Sequence, residues 1–154
     1  MRTIEGTSYV AGLRVAVIVS KYNDFVTDRL QSGAVAALAQ AGVASEKITI
    51  LKVPGAFEIP FAALQAARTT HYDAIVCLGC LIRGATPHFE HIASAVAQGL
   101  TAAAADTGVP MTFGVLTTNS VEEAIERAGE GPGNKGWEAA MAAVELAAVI
   151  AQLK

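Results

Sequence analysis

The sequence predicts one α/β domain spanning residues 1–154, and three observations support this fold class. A length of 154 residues is typical of a single domain. Short apolar runs alternate along the chain with segments that carry apolar residues at helical spacing, as strands do when helices connect them. The apolar runs at residues 13–20 and 74–82 contain few polar residues, which is typical of strands covered by helices on both faces.

The first half of the chain contains two predicted strand–helix units. The strands are predicted at residues 13–20 and 47–53, and the second helix at residues 57–68, after a turn at residues 54–56. Asn23 or Asp24 is expected to cap the first helix, because a side-chain oxygen there can accept hydrogen bonds from the first helical amides. Gly42 is expected to end this helix in a left-handed conformation, which glycine adopts without steric cost.

The second half continues the alternation and ends with two helices. Strands are predicted at residues 73–82 and 111–117, and the last helix at residues 135–152. Thr86 is expected to cap the helix between these strands, with Pro87 at its first position, where a missing amide hydrogen is tolerated. Ser120 and Glu123 have the spacing of a capping box and predict a short helix that ends near Gly129.

The alternation also predicts how the elements are arranged. Parallel strands joined by helices form a sheet with helices on both faces, which is a three-layer sandwich. Right-handed crossovers leave few topologies for four parallel strands, and the flavodoxin-like strand order is the natural one. Residues 3–6 lie too far before the first strand to belong to it. We expect this N-terminal segment to add an edge strand to the sheet of a neighbouring subunit.

Composition and charge restrict the classes of partner. The chain is 53% hydrophobic and 16% charged, against averages of roughly 45–50% and about 25%, so we expect part of its apolar surface to face other subunits. A net charge of −3 without a basic cluster argues against nucleic acid. Glu138 and Glu145 interrupt the most apolar helix and no signal peptide is visible, so we expect a cytoplasmic protein without a membrane partner.

Cysteine and histidine spacing does not predict redox or metal chemistry. Cys77 and Cys80 form a C-x-x-C pair, but they lie within a predicted strand, where residues three apart point to opposite faces. Two thiols also fall short of a four-ligand zinc site. His88 and His91 lie one helical turn apart, yet the H-E-x-x-H order is absent. We therefore predict no metal, and we interpret His91 as a helix-surface residue.

Ligands of open α/β sheets bind beyond the carboxyl ends of the strands. This rule selects four loops, at residues 21–23, 54–58, 83–88 and 117–119. In the third loop, Gly84 permits close approach of a ligand, and the helix end near Thr86 offers unpaired amides to an anion. His88 lies beside that anion site, where an imidazole can transfer a proton near neutral pH. A capped helix with an exposed histidine explains the spacing alone equally well.

Five further residues are candidates for ligand contacts, each with a structural alternative. Glu58 is either a charge at a helix start or an acceptor for the hydroxyls of a polyol. Tyr22 is either a core residue or a ring that stacks on a flat heterocycle, and Phe113 is by default a core residue. Arg127 and Lys135 flank a glycine-rich loop and suit phosphate binding, although ordinary surface charges are the simpler interpretation.

The same residues, in this order, resemble the lumazine synthase family. The motifs that carry the resemblance are Tyr22-Asn23-Asp24-Phe25, Val53-Pro54-Gly55-Ala56-Phe57-Glu58-Ile59-Pro60, Ile82-Arg83-Gly84-Ala85-Thr86-Pro87-His88-Phe89, Phe113-Gly114-Val115-Leu116-Thr117, Glu123-Ala124-Ile125-Glu126-Arg127-Ala128-Gly129 and Gly133-Asn134-Lys135-Gly136. They cover nearly the whole chain, and the motifs at residues 53–60 and 82–89 are specific to the family.

The resemblance implies a transferase of riboflavin biosynthesis that needs no cofactor. Such an enzyme condenses 5-amino-6-(D-ribitylamino)uracil with 3,4-dihydroxy-2-butanone 4-phosphate to 6,7-dimethyl-8-ribityllumazine and releases phosphate and water. By resemblance, His88 transfers protons and Phe113 comes from the adjacent subunit. The implied ligands of the ribitylaminouracil are Tyr22, Ala56, Phe57, Glu58, Cys80, Leu81, Ile82 and Phe113. The implied ligands of the butanone phosphate are Ala85, Thr86, Arg127 and Lys135.

The resemblance further implies a homo-oligomer, either a pentamer or a hollow icosahedral shell of twelve pentamers. The short loop at residues 129–136 favours the shell, and a riboflavin synthase enclosed in it is a further implied partner. Two alternatives stay open at this point. One is a module that binds a flavin phosphate without turnover, and the other is a structural shell with degenerate sites. Glu58, His88 and Arg127 favour catalysis over both.

Overall fold

The structure, a computed structural model that describes residues 1–154, is a three-layer α/β sandwich. Its strands are β1 (Val15–Ser20), β2 (Ile48–Val53), β3 (Ala74–Ile82) and β4 (Met111–Thr118). They form one parallel sheet in the order β2-β1-β3-β4, with β2 and β4 at the edges. This is the predicted flavodoxin-like order, and each strand lies where the apolar runs predicted it.

Five helices connect and follow the strands. They are α1 (Asp24–Gln40), α2 (Ile59–Arg68), α3 (His88–Thr107), α4 (Val121–Arg127) and α5 (Lys135–Leu153). Short 3-10 turns at Ser45–Lys47, Ala56–Glu58 and Gly131–Gly133 precede β2, α2 and α5. Helices α1, α4 and α5 cover one face of the sheet, and α2 and α3 cover the other. The strands β1 and β3 are therefore buried on both sides.

Burial on both faces explains the continuous apolar sequences of the central strands. The odd-numbered residues of β1 pack with α1 and α5, whereas Ala16 and Ile18 pack with α2 and α3. In β3 the same alternation places Cys80 in the first core and Cys77 in the second. Burial raises the pKa of the Cys77 thiol to about 12 and that of Cys80 to about 11. Both cysteines therefore stay protonated near neutral pH, which does not suit redox chemistry.

Two of the predicted helix caps are wrong. Helix α3 begins one residue later than expected, because the carbonyl of Pro87 accepts the amides of Glu90 and His91 at 3.1 and 3.3 Å. Pro87 is therefore the N-cap residue, and the Thr86 hydroxyl makes no capping hydrogen bond. At α1, Asn23 is the N-cap residue in a left-handed conformation (φ 64°, ψ 44°), but its side chain does not cap the helix.

Other predicted helix ends are confirmed. The Ser120 hydroxyl accepts the amide of Glu123 at 3.1 Å, and the Glu123 carboxylate accepts the amide of Asn119 at 2.9 Å. This is close to the reciprocal pairing of a capping box, with the returned bond displaced by one residue. Gly42 follows α1 with φ 89°, as the left-handed ending requires. The ring of Tyr9, from the N-terminal segment, lies against Gly42 where the Cβ atom of any other residue would be.

The N-terminal segment, residues 1–10, has no regular secondary structure and lies against its own chain. The carbonyl of Glu5 accepts the Gln152 side-chain amide at 2.6 Å, and the amide of Val10 donates to the carbonyl of Ala41 at 2.9 Å. Gly6 lies so close to α5 that a Cβ atom there would overlap the backbone of Glu145. These contacts hold the N-terminal segment against α5 and the end of α1. Its pairing with the sheet of a neighbouring subunit stays a prediction.

Helix α5 is long and apolar enough to cross a membrane by length and composition alone. In the fold it packs on α1 and on the sheet, with Ala140, Ala143 and Val144 completely buried. Helices in the cores of water-soluble proteins share this composition, so length and composition are weak evidence for a membrane span. Its outer face leaves Leu146 and Leu153 exposed, which fits the expectation that apolar surface faces another subunit.

Candidate active site

A cavity of about 800 Å³ opens at the carboxyl ends of β1, β2 and β3, and we refer to it as the aromatic cleft. This is the edge of an open α/β sheet at which ligands bind. It contains nine of the thirteen residues that the resemblance implies for substrate binding and proton transfer: Tyr22, Ala56, Phe57, Glu58, Cys80, Leu81, Ile82, Thr86 and His88. Three loops that are distant in sequence thus meet at one place.

Two large aromatic side chains stand exposed in this cleft. Tyr22 is 74% exposed and Phe57 is 62% exposed, although apolar rings of this size are usually covered. Ala56 and Cys80 line the same cleft and are buried. Two exposed rings in a cleft that also contains small buried residues suit a flat heterocycle. Stacking of the heterocycle on the rings would bury their exposed apolar surface.

Asn23, which the spacing indicated as a possible helix cap, holds the loop that carries Tyr22. The side-chain amide of Asn23 donates to the carbonyl of Cys80 at 2.9 Å and so ties the β1 loop to β3. Asn23 adopts its left-handed conformation at this point, and asparagine tolerates that region better than most residues. The bond fixes the direction in which the chain presents the neighbouring Tyr22.

Polar groups of the cleft are free to meet a ligand. The carboxylate of Glu58 and the imidazole of His88 make no hydrogen bond or ion pair within the chain, and both side chains are exposed. Gly84 and Thr86 line the same cleft, and a Cβ atom at Gly84 would meet nothing within 4 Å. Ala85 lies exposed between them. The turn at residues 84–86 therefore offers its backbone openly to an anion at the start of α3.

His91 also lines the cleft, together with Phe89 and Ile92 of α3. Its interpretation as a simple surface residue missed this position. The signal that predicts it is the three-residue spacing from His88, because residues i and i+3 share one face of a helix. No cluster of three or more His, Cys, Asp or Glu side chains with metal-binding geometry occurs in the chain.

The aromatic cleft contains no lysine or arginine among its 16 lining residues. A second cavity of about 480 Å³ lies at the edge formed by β4, and we refer to it as the cationic cavity. It is lined by Phe113, Arg127 and Lys135, and it shares no lining residue with the aromatic cleft. Within one chain the predicted site residues thus fall into two groups, although nothing in the sequence pattern separates Arg127 and Lys135 from Thr86.

The side chains of the cationic cavity remain available to a ligand or partner. Phe113 is 48% exposed on the edge strand, contrary to its default interpretation as a core residue. The Arg127 guanidinium makes one hydrogen bond, to the carbonyl of Glu123 at 3.2 Å, and no ion pair. The Lys135 ammonium pairs with Glu138 at 2.9 Å. Arg127 is therefore the free positive charge of this cavity.

A flavodoxin-like domain with exposed rings, an open turn at a helix start and an unpaired imidazole at its strand ends has the features of an α/β enzyme that acts on small molecules. Comparison with known proteins specifies the class. Residues 12–151 match the sequence model of the 6,7-dimethyl-8-ribityllumazine synthase family. Two relatives bear that name. The protein of Desulfatibacillum aliphaticivorans is 48% identical over 153 residues, covering 99% of each chain. That of Syntrophus aciditrophicus (strain SB) is 47% identical over 149 residues, covering 97% of each.

The chain belongs to the 6,7-dimethyl-8-ribityllumazine synthase family. It is a transferase of riboflavin biosynthesis that catalyses the condensation forming the lumazine, so the resemblance seen in the sequence is confirmed. The two alternatives, a flavin-phosphate carrier and an inactive shell protein, are not favoured. The substrates are small molecules, and the two cavities described above are the candidate places for them.

Proposed function

We propose that the aromatic cleft binds 5-amino-6-(D-ribitylamino)uracil and 3,4-dihydroxy-2-butanone 4-phosphate side by side and condenses them. The observation that carries this proposal is the meeting of two exposed rings, an unpaired carboxylate, an open turn and an unpaired imidazole in one cleft. Each group matches one part of the two substrates. The cationic cavity, by contrast, contains no imidazole.

The uracil end of the cleft is assigned from its shape and polarity. The ring stacks on Tyr22, and the ribityl chain runs towards Phe57, where Glu58 accepts hydrogen bonds from its hydroxyls. The residues that contact the ring edge through backbone groups are Cys80, Leu81 and Ile82, and Ala56 contacts the ribityl chain. The Cys80 carbonyl already accepts one bond from Asn23, which leaves it a second lone pair for the substrate.

The phosphate is assigned to the turn at Ala85 and Thr86, supported by charge from a second copy of the chain. Phosphate binding is strongest with charge-assisted bonds, and the cleft supplies no cation of its own. Phe113, Arg127 and Lys135 stand exposed or partly exposed on the edge-strand side of the chain. A neighbouring subunit that sets its cationic cavity against the aromatic cleft brings Arg127 and Lys135 to the phosphate and closes Phe113 over the uracil ring.

The chemistry follows from the groups that the two substrates already carry. The uracil amine attacks the ketone, and loss of water gives an imine. Removal of a proton from the adjacent carbon expels phosphate and leaves an enol, which tautomerises to a ketone. Attack on this ketone by the ribitylamino nitrogen, with loss of a second water, closes the ring. His88 moves protons in these steps, a role that contributes about 10²–10⁴-fold. Alignment of two reactants contributes up to roughly 7–11 kcal/mol and is the larger effect. The reaction as proposed needs no cofactor.

Kinetics of single variants test the roles. His88→Ala should slow formation of the fluorescent lumazine by about 10²–10⁴-fold without abolishing it, because alignment remains. Arg127→Ala should raise the KM for the butanone phosphate by about 10- to 100-fold and change the KM for the uracil little, because it removes one charge-assisted pair. A His88→Ala protein that binds both substrates normally but has no activity, or an Arg127→Ala protein with unchanged KM, would contradict these assignments.

Co-expression of two differently tagged variants tests whether the site lies between chains. In mixed oligomers of His88→Ala and Arg127→Ala, about one quarter of the interfaces combine an intact cleft with an intact cationic cavity. With the butanone phosphate well below its KM, activity should therefore recover to about a quarter of that of the unmodified enzyme, well above either variant alone. Oligomers in which both tagged chains carry His88→Ala are the control. Activity no greater than the average of the two single variants would place all the residues within one chain.

We further propose that residues 1–154 act as one domain in a cytoplasmic homo-oligomer, with pentamers assembled twelve at a time into a shell. The apolar composition, the exposed face of α5 and the divided site support an oligomer. The short connection between α4 and α5 supports the shell, and a riboflavin synthase inside it is the proposed partner. Light scattering and negative-stain microscopy distinguish a pentamer from a 60-subunit particle, and co-purification tests the enclosed partner.

A further inference from the structure

The turn at residues 84–86 is held at both ends by one residue, Arg83. Its backbone amide donates to the carbonyl of Thr118 at 2.8 Å and so continues the pairing of β3 with β4. Its guanidinium Nη1 donates to Glu90 Oε1 at 2.6 Å, in the first turn of α3. The guanidinium also lies 4.8 Å from the centre of the Phe89 ring. Arg83 thereby connects the end of β3 to the start of α3 across the anion-binding turn.

A third contact ties the same side chain to the next loop. The Nε of Arg83 donates to Asn119 Oδ1 at 2.9 Å, and Asn119 in turn lies at the start of α4. The turn itself has no comparable support, because Gly84, Ala85 and Thr86 make no side-chain hydrogen bond. Arg83 is therefore the polar link that sets the distance between the two ends of the turn.

The charge of Arg83 is already used within the chain. Its ion pair with Glu90 and its bond to Asn119 occupy two sides of the planar guanidinium, and the Phe89 ring contacts one face. Arg83 does not line the aromatic cleft, although it adjoins Gly84, which does. An arginine whose guanidinium is engaged in this way is better placed to hold the neighbouring protein groups in position than to bind a substrate phosphate directly.

We propose that Arg83 is a positioning residue for the phosphate-binding turn, acting through Glu90, Phe89 and Asn119. This inference rests on the proposed binding of the butanone phosphate at Ala85 and Thr86. The pair with Glu90 is about half exposed, with side-chain exposures of 47% and 57%, so it contributes little to folding stability. Its effect is on where the turn lies, and a displacement of about 1 Å at a binding group is enough to cost up to a hundredfold.

A direct phosphate ligand and a positioning residue respond oppositely when Glu90 is changed. Glu90→Gln removes the carboxylate that holds Arg83. If Arg83 bound phosphate directly, its release would strengthen phosphate binding. If Arg83 positions the turn, Glu90→Gln and Arg83→Met both loosen the turn and weaken phosphate binding. The double variant then costs no more than either single variant, because both remove the same link.

The experiment measures four variants of the full enzyme: Arg83→Met, Arg83→Lys, Glu90→Gln and the double variant Arg83→Met/Glu90→Gln. For each, KM for both substrates, kcat, inhibition by inorganic phosphate and Tm are determined. Arg68→Met is the matched control, because Arg68 forms an exposed ion pair with Asp106 far from the cleft. It should leave all these values unchanged.

We expect Arg83→Met and Glu90→Gln to raise both the KM for the butanone phosphate and the inhibition constant of inorganic phosphate by about tenfold or more. The KM for the uracil and the Tm should stay near those of the control. Arg83→Lys should recover only part of the loss, because an ammonium cannot hold Glu90 and Asn119 in the fork geometry of a guanidinium.

Three results would overturn the proposal: tighter phosphate binding in Glu90→Gln, unchanged phosphate binding in Arg83→Met, or equal loss for both substrates that follows a lower Tm. The Arg127→Ala variant separates this inference from the site assignment. If Arg127→Ala weakens phosphate binding and Arg83→Met does not, only the positioning role fails. If neither variant affects phosphate binding, the assignment of the phosphate site fails as well.

Discussion

Replacing Asn134 with alanine tests how the loop between α4 and α5 is fixed to the domain. Asn134 is 2% exposed, and its side chain makes four hydrogen bonds. Its Oδ1 accepts the amides of Gly136 at 2.7 Å and Trp137 at 3.1 Å, which caps α5. Its Nδ2 donates to the carbonyls of Gly129 at 2.7 Å and Arg29 at 3.1 Å, which ties the loop to the end of α4 and to α1.

The magnitude follows from these four bonds. Loss of an N-cap side chain costs about 1 kcal/mol, and two further buried hydrogen bonds cost about 1 kcal/mol each, so Asn134→Ala should lose about 3 kcal/mol. For a domain of this size that corresponds to a Tm lower by roughly 6–12 °C. Thermal denaturation followed by circular dichroism measures the change, at one protein concentration because assembly also affects Tm.

Two variants separate the contributions. Asn134→Ser keeps a capping oxygen but is too short to reach α1 and α4, so it should lose about 2 kcal/mol. Ser120→Ala removes a cap with a single bond, to the amide of Glu123, and should lose about 1 kcal/mol. A Tm for Asn134→Ala no lower than that of Ser120→Ala would refute the reasoning, because the links to the carbonyls of Arg29 and Gly129 would then contribute nothing.

Two further predictions concern ionisable groups outside the cleft. Hydrogen bonds from the Arg14 guanidinium lower the pKa of the Asp73 carboxyl. The pair therefore stabilises the fold at pH values above the ordinary carboxyl pKa of about 4, and this stabilisation is lost as the pH falls through the lowered pKa. The Tm difference between Asp73→Asn and the unmodified protein should therefore be present at neutral pH and shrink in acid, and a difference that is constant across this range would contradict the assignment. Burial raises the pKa of both cysteine thiols, so the native protein should resist alkylation near neutral pH and react at both sites only when unfolded. Rapid alkylation of the native protein would contradict this, because it would show an accessible thiolate.

The fold was predictable because local patterns and burial agree along most of the chain. β1 and β3 are apolar on successive residues because helices cover both of their faces, and this pattern distinguishes them from edge strands. Ser120 caps α4 as its spacing with Glu123 predicts, since a cap depends on neighbours only three residues away.

Two cap predictions failed at the sheet edge where the loops meet. Asn23 has the composition of a cap, but it is left-handed and its Nδ2 donates to the carbonyl of Cys80, and its Oδ1 accepts no amide of the helix. Thr86 was expected to cap α3, but Pro87 occupies the N-cap position and the Thr86 hydroxyl is left to the cleft. Neither outcome is visible in sequence spacing, because both depend on the packing of three loops at one sheet edge.

The candidate site shows the same limit. Spacing placed Tyr22, Glu58 and His88 at strand ends, and the parallel sheet brings them into one cleft. The sequence did not indicate that Arg127 and Lys135 line a different cavity from that cleft, because the direction in which a loop faces depends on which edge of the sheet it borders. His91 was missed because a single histidine on a helix has many structural explanations.

The two edges of the sheet differ in how they are protected. The β2 edge carries Lys52, an exposed charged residue of the kind that discourages further strand pairing. β4 is the other edge strand and has no charged side chain of its own between Met111 and Thr118, and the charges nearest to it are those of the cationic cavity. We expect chains that accumulate faster than they assemble to pair along this strand, which lacks a protecting charge of its own. Aggregates from rapid overexpression should therefore be rich in intermolecular strand structure, and slower expression should reduce them.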